Sequence, residues 1–592
     1  MGKTADIGRS EQTSRQKNAV SDSNVCDCCI PVDAFVIKNT RGDYGGTTKQ
    51  TKASCEQKEL VVIGAGPHSL ALMLRLLEPN ADLSSEKERH IMADFPNRIR
   101  PPSKVRKHIE NLMHGPSAIY RKTGPKNTEN DLCPPLSLDF VKKNVLVVDA
   151  SLSDSGRTNS LYGWMSGWMN IFQILKIDQL RSPISAHADP FDHRSLEFFA
   201  KHTNREGELV PLNYLSKTNK KWDFHGPYNS PSADLFHDFH RQLISGYGVQ
   251  DLVTPGIVKN IRYDDSGQFQ VSITNPSNGH SKIVQTPRVV CALGPAYRKE
   301  ESIFQSRIAL EPWQVPHRIL HGDEIMRFLA KHSRSKERLP LNNQDILIVG
   351  GGVTSAHLAL TACDGLECPW CESVLLIQRS KMKERQFDLD SAWMGPGRGN
   401  RLDQFWTLPF IERVRRLGNE RGGGSIHPEV IQLLKERASL DGPVAKLSLQ
   451  EETEIMEVHY DYQNDKLLVS MDDGLPHKAF DMIWLATGFE NHIDNYQCLD
   501  ELRKQLLIGV VGGLPVLGGD LSWKEWKGGR VAEGGKSSPH EPTDKENARK
   551  RFWVMGSLAG MELGPDALNL MGARHGAVRV AKALLSDFSS KL

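Results

Sequence analysis

Short, unbroken apolar runs that stop at a glycine recur along this chain of 592 residues. Leu60-Val61-Val62-Ile63 runs into Gly64, and Ile346-Leu347-Ile348-Val349 runs into Gly350. Val145-Leu146-Val147-Val148 closes instead on Asp149, and Ser373-Val374-Leu375-Leu376-Ile377 closes on a polar Gln378-Arg379-Ser380-Lys381. Runs without polar alternation are the pattern of strands covered on both faces, as in a parallel sheet. Three more strands end at Gly294, Gly488 and Gly556, after the apolar stretches around 289–293, 482–486 and 552–555. Helical periodicity follows the first glycine turn over about 69–77 and reappears near the C-terminus over about 567–585.

Strand, glycine turn and helix in that order, twice in one chain, predict an α/β protein with two Rossmann-like dinucleotide-binding domains. The second unit is expected to be inserted in the first. The predicted boundaries are 58–335 for the first part of the outer domain, 336–480 for the inserted domain and 481–592 for the outer domain's remainder. Residues 1–57, rich in Ser, Thr, Asn, Gly, Lys and Asp, read as a disordered tail. Residues 80–144 carry no clear strand and read as an insertion, helical over 84–113 with Pro101-Pro102 breaking it. Residues 520–548 read as a surface loop.

Charge narrows the partners. Lys and Arg total 74 against 72 for Asp and Glu, a net charge of +2, where a nucleic-acid-binding protein would carry a basic excess. No run of 18 apolar residues is present, so no membrane-spanning segment is expected. Asp6 stands where a myristoylation site needs Ser or Thr, no secretory core follows, and Asp6 and Glu11 oppose a transit peptide. A cytoplasmic location is the expectation, with ten cysteines read as reduced thiols. Cys368-Pro369-Trp370-Cys371, with Cys363 nearby, has dithiol spacing; a zinc site would need four ligands, and no metal is expected. Cys26-Asp27-Cys28-Cys29 lies in the polar tail.

The glycines carry the chemistry. Gly64 and Gly350 permit the tight turns, while Gly66 and Gly352 let a pyrophosphate approach the backbone. Pro67, Ser69 and Ser355 open helices whose free N–H groups and positive dipole ends suit phosphate. An acid closing the next strand holds a ribose hydroxyl. Asp149 is preferred to Asp94 because its strand is more convincing, although it lies 85 positions after Gly64 against the usual distance of about 20. In the second unit Arg379 and Lys381 stand where an acid would favour NAD, so a 2′-phosphate and hence NADPH is expected.

The chain also resembles the N-hydroxylating flavoprotein monooxygenases, the lysine and ornithine hydroxylases, over about 59–580. The resemblance rests on Gly64-Ala65-Gly66-Pro67-His68-Ser69-Leu70, then on Trp164-Met165-Ser166-Gly167-Trp168-Met169 followed by Leu180-Arg181-Ser182-Pro183. Pro211-Leu212-Asn213-Tyr214-Leu215, Tyr228-Asn229-Ser230-Pro231-Ser232 and Asp403-Gln404-Phe405-Trp406-Thr407-Leu408-Pro409 continue it in the family's order. It implies FAD at the first turn, NADPH at the second, and a small-molecule substrate that receives oxygen from dioxygen through a flavin hydroperoxide. It also implies that Trp168, Asn170 (for a family Gln) and Arg181 lie at the flavin, and that the 561–574 run, including Asn569, closes that site. The substrate positions depart from the family. Leu175 takes the place of a substrate-holding Lys, leaving Lys176, one position away, and Asn170 as the candidate substrate residues; Ala233 replaces an Arg; and the family's Asn is missing near Asp390-Ser391-Ala392. The cofactor machinery is therefore implied and the substrate is left open, with amines or other soft nucleophiles as the class. No acid–base pair is required, and none is nominated.

Two other functions compete. A dithiol oxidoreductase would use Cys368 and Cys371, but their place after the second turn puts them toward the end opposite the crevice. A catalytically silent, nucleotide-binding regulatory flavoprotein is compatible with the altered substrate positions. Oligomeric state is not legible in the sequence.

Overall fold

The computed structural model describes residues 56–78, 135–150, 161–182, 230–294, 318–333, 344–364, 371–390, 398–421, 423–440, 446–527 and 544–589, with isolated positions between them. The first sheet is built from β1 (Leu60–Ile63), β2 (Val145–Asp149), β3 (Val253–Pro255), β4 (Val289–Cys291) and, much later in the chain, β10 (Phe552–Val554). Its order is β10-β4-β1-β2-β3, and every neighbouring pair is parallel. The second sheet contains β5 (Ile319–His321), β6 (Asp345–Val349), β7 (Ser373–Ile377), β8 (Lys446–Gln450) and β9 (Met482–Leu485). Its order is β5-β9-β6-β7-β8, again parallel throughout.

The two sheets repeat one plan. A central strand enters a glycine turn and a helix: β1 leads to α1 (Pro67–Leu77), and β6 leads to α3 (Val353–Asp364). The next strand pairs on one side of it. A three-stranded antiparallel excursion (257–286 in the first unit, 455–480 in the second) precedes the strand that returns to the other side. The apolar runs explain why: β1, β4 and β9 are fully buried, as strands covered on both faces must be. Helix α1 packs against the long C-terminal helix α5 (Leu570–Ser589), which covers one face of the first sheet.

The insertion of one nucleotide unit in the other follows from this strand order, but its limits differ from 336–480. β5 and β9 fall outside that interval and are strands of the second sheet. β5 has only three residues, and its Ile319-Leu320-His321 sequence is too short and too polar at its end to read as an apolar run, although Gly322 follows it. The apolar run of β9 is of the same kind as that of β4, so only tertiary pairing decides which sheet takes it. Three smaller differences have local causes. Glu56–Gln57, placed in the 1–57 tail, is a short strand that pairs with the Ser281–Thr286 strand. The helix Leu138–Asn144 at the end of the 80–144 stretch is capped by the Ser137 hydroxyl and feeds directly into β2. Within 520–548, Leu521, Ser522 and Trp523 are buried, with Trp523 stacked 3.9 Å from Phe552, and Asp544–Lys550 is helical; buried aromatic area outweighs the polar composition around it. Asp94, the 84–113 segment and Cys368 lie outside the described residues.

Two elements join the units. Helix α2 (Ser166–Ile174) packs Met169, Trp168 and Phe172 into the first core, while Ile171, Ile174 and the following Leu175 pack into the second. Helix α4 (Phe410–Arg421) belongs by sequence to the second unit but lies on the 560–563 turn of the first. Among the described residues, no helix is long and apolar enough to cross a membrane.

Candidate functional site: two glycine turns

Each turn is fixed by the same three contacts. Gly64 donates its N–H to Val148 O at 2.7 Å, and Gly350 donates to Ile377 O at 3.0 Å. Ser69 Oγ donates to Gly64 O at 2.5 Å, and Ser355 Oγ to Gly350 O at 2.7 Å. A Cβ on Gly64 (φ +96°) would fall 2.6 Å from Ala292 O; one on Gly350 would fall 2.3 Å from Ala486 O. Ala292 and Ala486 follow the returning strands β4 and β9 and bond back to Ile63 O and Val349 O, both at 2.9 Å. The glycine is thus required where the returning strand's carbonyl crosses the turn. Ser69 and Ser355 act as struts under the turn.

Around that common frame the surfaces differ. At the first turn, Asp149 Oδ2 accepts the Ala65 N–H at 2.7 Å, so the acid that ends β2 also holds the turn's shape. Helix α1 begins at Pro67 with no side chain capping it, leaving its first N–H groups directed outward. A Cβ on Gly66 would meet nothing within 4 Å, so the approach to the turn is open. At the second turn the equivalent of Asp149 is Gln378, buried beside Gly351 and bonded through Nε2 to Glu451 at 3.3 Å. Arg379 beyond it is 77% exposed, with Glu454 3.8 Å away, and Lys381 is exposed.

Other residues expected at the site fall at several places. Gly294 and Gly488 are exposed just past β4 and β9, and Tyr496 donates its hydroxyl to Gly294 O at 2.9 Å. Gly556 (φ +81°) follows β10. Trp168 is half-buried, edge-on to Phe172; Asn170 lies on the same helix, at the junction of the two cores. Lys176 is exposed in a left-handed conformation (φ +48°), because Leu175 before it fills the second core.

Arg181 is a buried link between the units. Its guanidinium donates to Arg385 O (2.9 Å), Gln386 O (3.3 Å), Phe387 O (3.0 Å), Ser425 O (2.7 Å) and Ser425 Oγ (2.9 Å), with Asp388 at 3.1 Å. Asn569 is tied to the second unit as well: Arg421 of α4 donates to Asn569 Oδ1 and to Pro565 O, both at 3.2 Å. Arg413 of α4 reaches Glu562 Oε1 and Met561 O at 3.2 Å, and Trp406 Nε1 donates to Glu562 O at 3.0 Å. Burial pushes the Glu562 carboxyl up to about 6, against the pull of Arg579 and Arg413.

Two residues that sequence reasoning passed over belong to the site. His68, in the first turn of α1, is buried, with Nε2 3.5 Å from Leu568 O, and burial pushes it down to about 4, so it is neutral at pH 7. Gly424 lies directly on Gly352: a Cβ on Gly352 would point at Gly424 Cα, 3.5 Å away. His68 lies within the first turn's own sequence, Gly64-Ala65-Gly66-Pro67-His68-Ser69. Gly424 gave no signal beyond the local run Gly422-Gly423-Gly424. Cys291, Cys363 and Cys371 are buried in the cores and form no disulfide; Cys371 donates to Ala362 O, and burial pushes its thiol up. Among the described residues no cluster of His, Cys, Asp and Glu could hold a metal.

No protein-family model matches this chain, and no curated protein matches its sequence. Its fold does have solved relatives. The ornithine hydroxylase PvdA from Pseudomonas aeruginosa aligns over 90% of this chain and 100% of its own, with TM-score 0.53 and 15% identity. The ornithine N-hydroxylase KtzI from Kutzneria sp. 744, whose structure holds reduced FAD, NADP+ and L-ornithine, aligns over 90% and 100%, with TM-score 0.55 and 12% identity. The FAD-bound cadaverine monooxygenase DfoA from Erwinia amylovora aligns over 89% and 94%, with TM-score 0.50 and 13% identity. The chain therefore has the two-dinucleotide fold of the amine-hydroxylating flavin monooxygenases.

Proposed function

We propose that this protein is an FAD- and NADPH-dependent monooxygenase acting on an amine or another soft nucleophile. The observation that carries the reading is the duplicated turn: two strand–glycine–helix units that share the contacts of their first glycine, bridged by α2, Arg181 and α4. The first turn fits FAD. Gly66 leaves the pyrophosphate approach open, the uncapped start of α1 presents N–H groups, and Asp149 ends the next strand, where a ribose hydroxyl would be held. Bound there, FAD would supply the redox and oxygen-transfer chemistry, and the protein would supply position and a water-poor pocket. His68, neutral and buried in the first turn of α1, would present a polar ring without adding charge beside a flavin bound there.

The second turn has the residue types for NADPH. Gln378 removes the acid that would repel a 2′-phosphate, and Arg379 and Lys381 stand exposed beside it. In the conformation described, Gly424 covers the pyrophosphate surface of that turn. The amine class rests on the fold neighbours, which act on ornithine and cadaverine. Among the described residues none selects one amine, and the resemblance puts Leu175, packed in the second core, where the hydroxylases keep a Lys.

The deciding experiment is the visible spectrum of the purified protein, followed by anaerobic titration with NADPH and then admission of air. A flavin spectrum bleached by NADPH and restored by air, with amine-dependent consumption of dioxygen, is the expected result. A protein that keeps FAD but is never reduced by NADPH would be a nucleotide-binding regulator instead.

A further inference from the structure

The second glycine of such a turn lacks a side chain because its Cβ would point at the pyrophosphate. That direction can be inspected in both units. At Gly66 it is empty to 4 Å, whereas at Gly352 it meets Gly424 Cα at 3.5 Å. Seen from the other side, a Cβ on Gly424 would lie 2.6 Å from both Cα and N of Gly352, and 2.7 Å from C of Gly351. Backbone lies on backbone, so no side-chain rotation clears the surface. Gly424 is not left-handed, and its glycine is explained by this contact rather than by its own dihedrals.

The loop is held down from the first unit. Arg181 grips Ser425 by its carbonyl (2.7 Å) and its hydroxyl (2.9 Å). Ile426 donates to Lys383 O at 2.9 Å and accepts from Arg385 N–H at 3.0 Å, so the loop also runs beside the 383–387 segment. Arg181 is almost wholly removed from water, and burial lowers its affinity for a proton. Arg181 keeps its acceptors at 385–387 and Asp388 outside the loop, so lifting the loop breaks its two Ser425 contacts and the two Ile426 backbone bonds. Gly423, at φ +84°, adjoins Gly424 and gives the backbone a place to pivot.

We propose that residues 423–425 form a self-cap on the second nucleotide turn, latched by Arg181 of the first unit, which must lift before NADPH can reach Gly352. This rests on the nicotinamide reading of that turn. Arg181 is then a positioning residue for the loop. Its effect on nucleotide affinity works through the fraction of molecules whose cap is open.

The test is hydrogen exchange on the FAD-loaded full chain with and without NADP+, paired with calorimetric titration of NADP+ into wild type and Gly424→Ala. NADP+ is expected to speed exchange at the Ile426 and Arg385 amides while slowing it at the start of α3. An added methyl cannot occupy the closed position. With a cap open about one-tenth of the time, Gly424→Ala should therefore tighten NADP+ by up to about tenfold, with FAD content unchanged. Loop amides that become protected when NADP+ binds would overturn the cap alone, as would equal NADP+ affinity in the two proteins. A Gly424→Ala protein that retains FAD and takes up no NADP+ would overturn the cap and the nicotinamide reading together.

Discussion

The two glycine turns have the same skeleton and opposite surfaces. In each, a returning strand's carbonyl crosses the first glycine, a serine five positions on braces that glycine's own carbonyl, and the adjacent strand accepts its N–H. Outside that frame, the first turn carries Asp149 and an open approach, and the second carries Gln378, two exposed cations and a covering loop. The shared contacts therefore make a turn, and the residues just beyond them set the surface that each turn presents. Backbone likeness alone would have assigned both turns the same ligand.

Breaking the shared frame should have the largest effect, and should separate the two sites. Gly64→Ala forces a Cβ against Ala292 O, and Gly350→Ala forces one against Ala486 O. Each is expected to cost about 2–4 kcal/mol in denaturant unfolding, by a buried clash with backbone. Gly64→Ala should lose FAD by absorbance, whereas Gly350→Ala should retain FAD and lose NADP+ by calorimetry. Loss of both ligands in both variants would mean that the units do not fold or bind separately.

Changing the surfaces should have a smaller effect that depends on the ligand. Asp149→Asn removes a charged acceptor from Ala65 N–H and should weaken FAD by about 1.5–3 kcal/mol. Arg379→Ala should weaken NADPH by about tenfold or more and leave NADH unchanged. Gln378→Asp should move the preference further toward NADH. Equal losses for the two nucleotides would place the 2′-phosphate elsewhere.

The junction between the units should respond to pH. Glu562 is raised from 4.5 to about 6, mainly by burial. A carboxyl raised in the fold stabilises it when protonated; that contribution is complete below about pH 4.5 and is lost as pH rises through about 6. The difference is about 2 kcal/mol, and Glu562→Gln should remove this part of the pH dependence in denaturation midpoints. The smallest effect is expected from Cys371→Ser. If flavin reduction needs no dithiol, NADPH-driven bleaching should stay within about twofold of wild type.

The frame was legible in the sequence because it is written locally. An apolar run, a glycine and a helix are neighbours in the chain, so the first two strands, both turns and the order of domains could be read directly. Asp149 was chosen over Asp94 on the strength of its strand, and its bond to Ala65 N–H places it at the turn. What escaped was non-local. The short β5 has no pattern of its own, β9 is a buried run that either sheet would accept, and Trp523 is buried because Phe552 stacks on it. Arg181 sits in the sequence among the residues expected at the flavin turn, and its part in joining the units has no local sign. Its carbonyl partners lie more than 200 positions away, and no spacing rule connects them. Gly424 was invisible for the same reason: what it covers is 72 positions earlier in the chain.

The split of the first sheet also bears on the order of synthesis. The second unit can complete all five of its strands once Leu485 has emerged from the ribosome. The first sheet still awaits β10, and α1 still awaits α5, both made in the last tenth of the chain. Domains generally fold as they appear, so the N-terminal turn, translated first, is the last to be finished. A message cut short after residue 550 would leave the second unit whole and the first sheet with an unpaired edge at β4. Such a fragment would expose the apolar face of α1 to quality control.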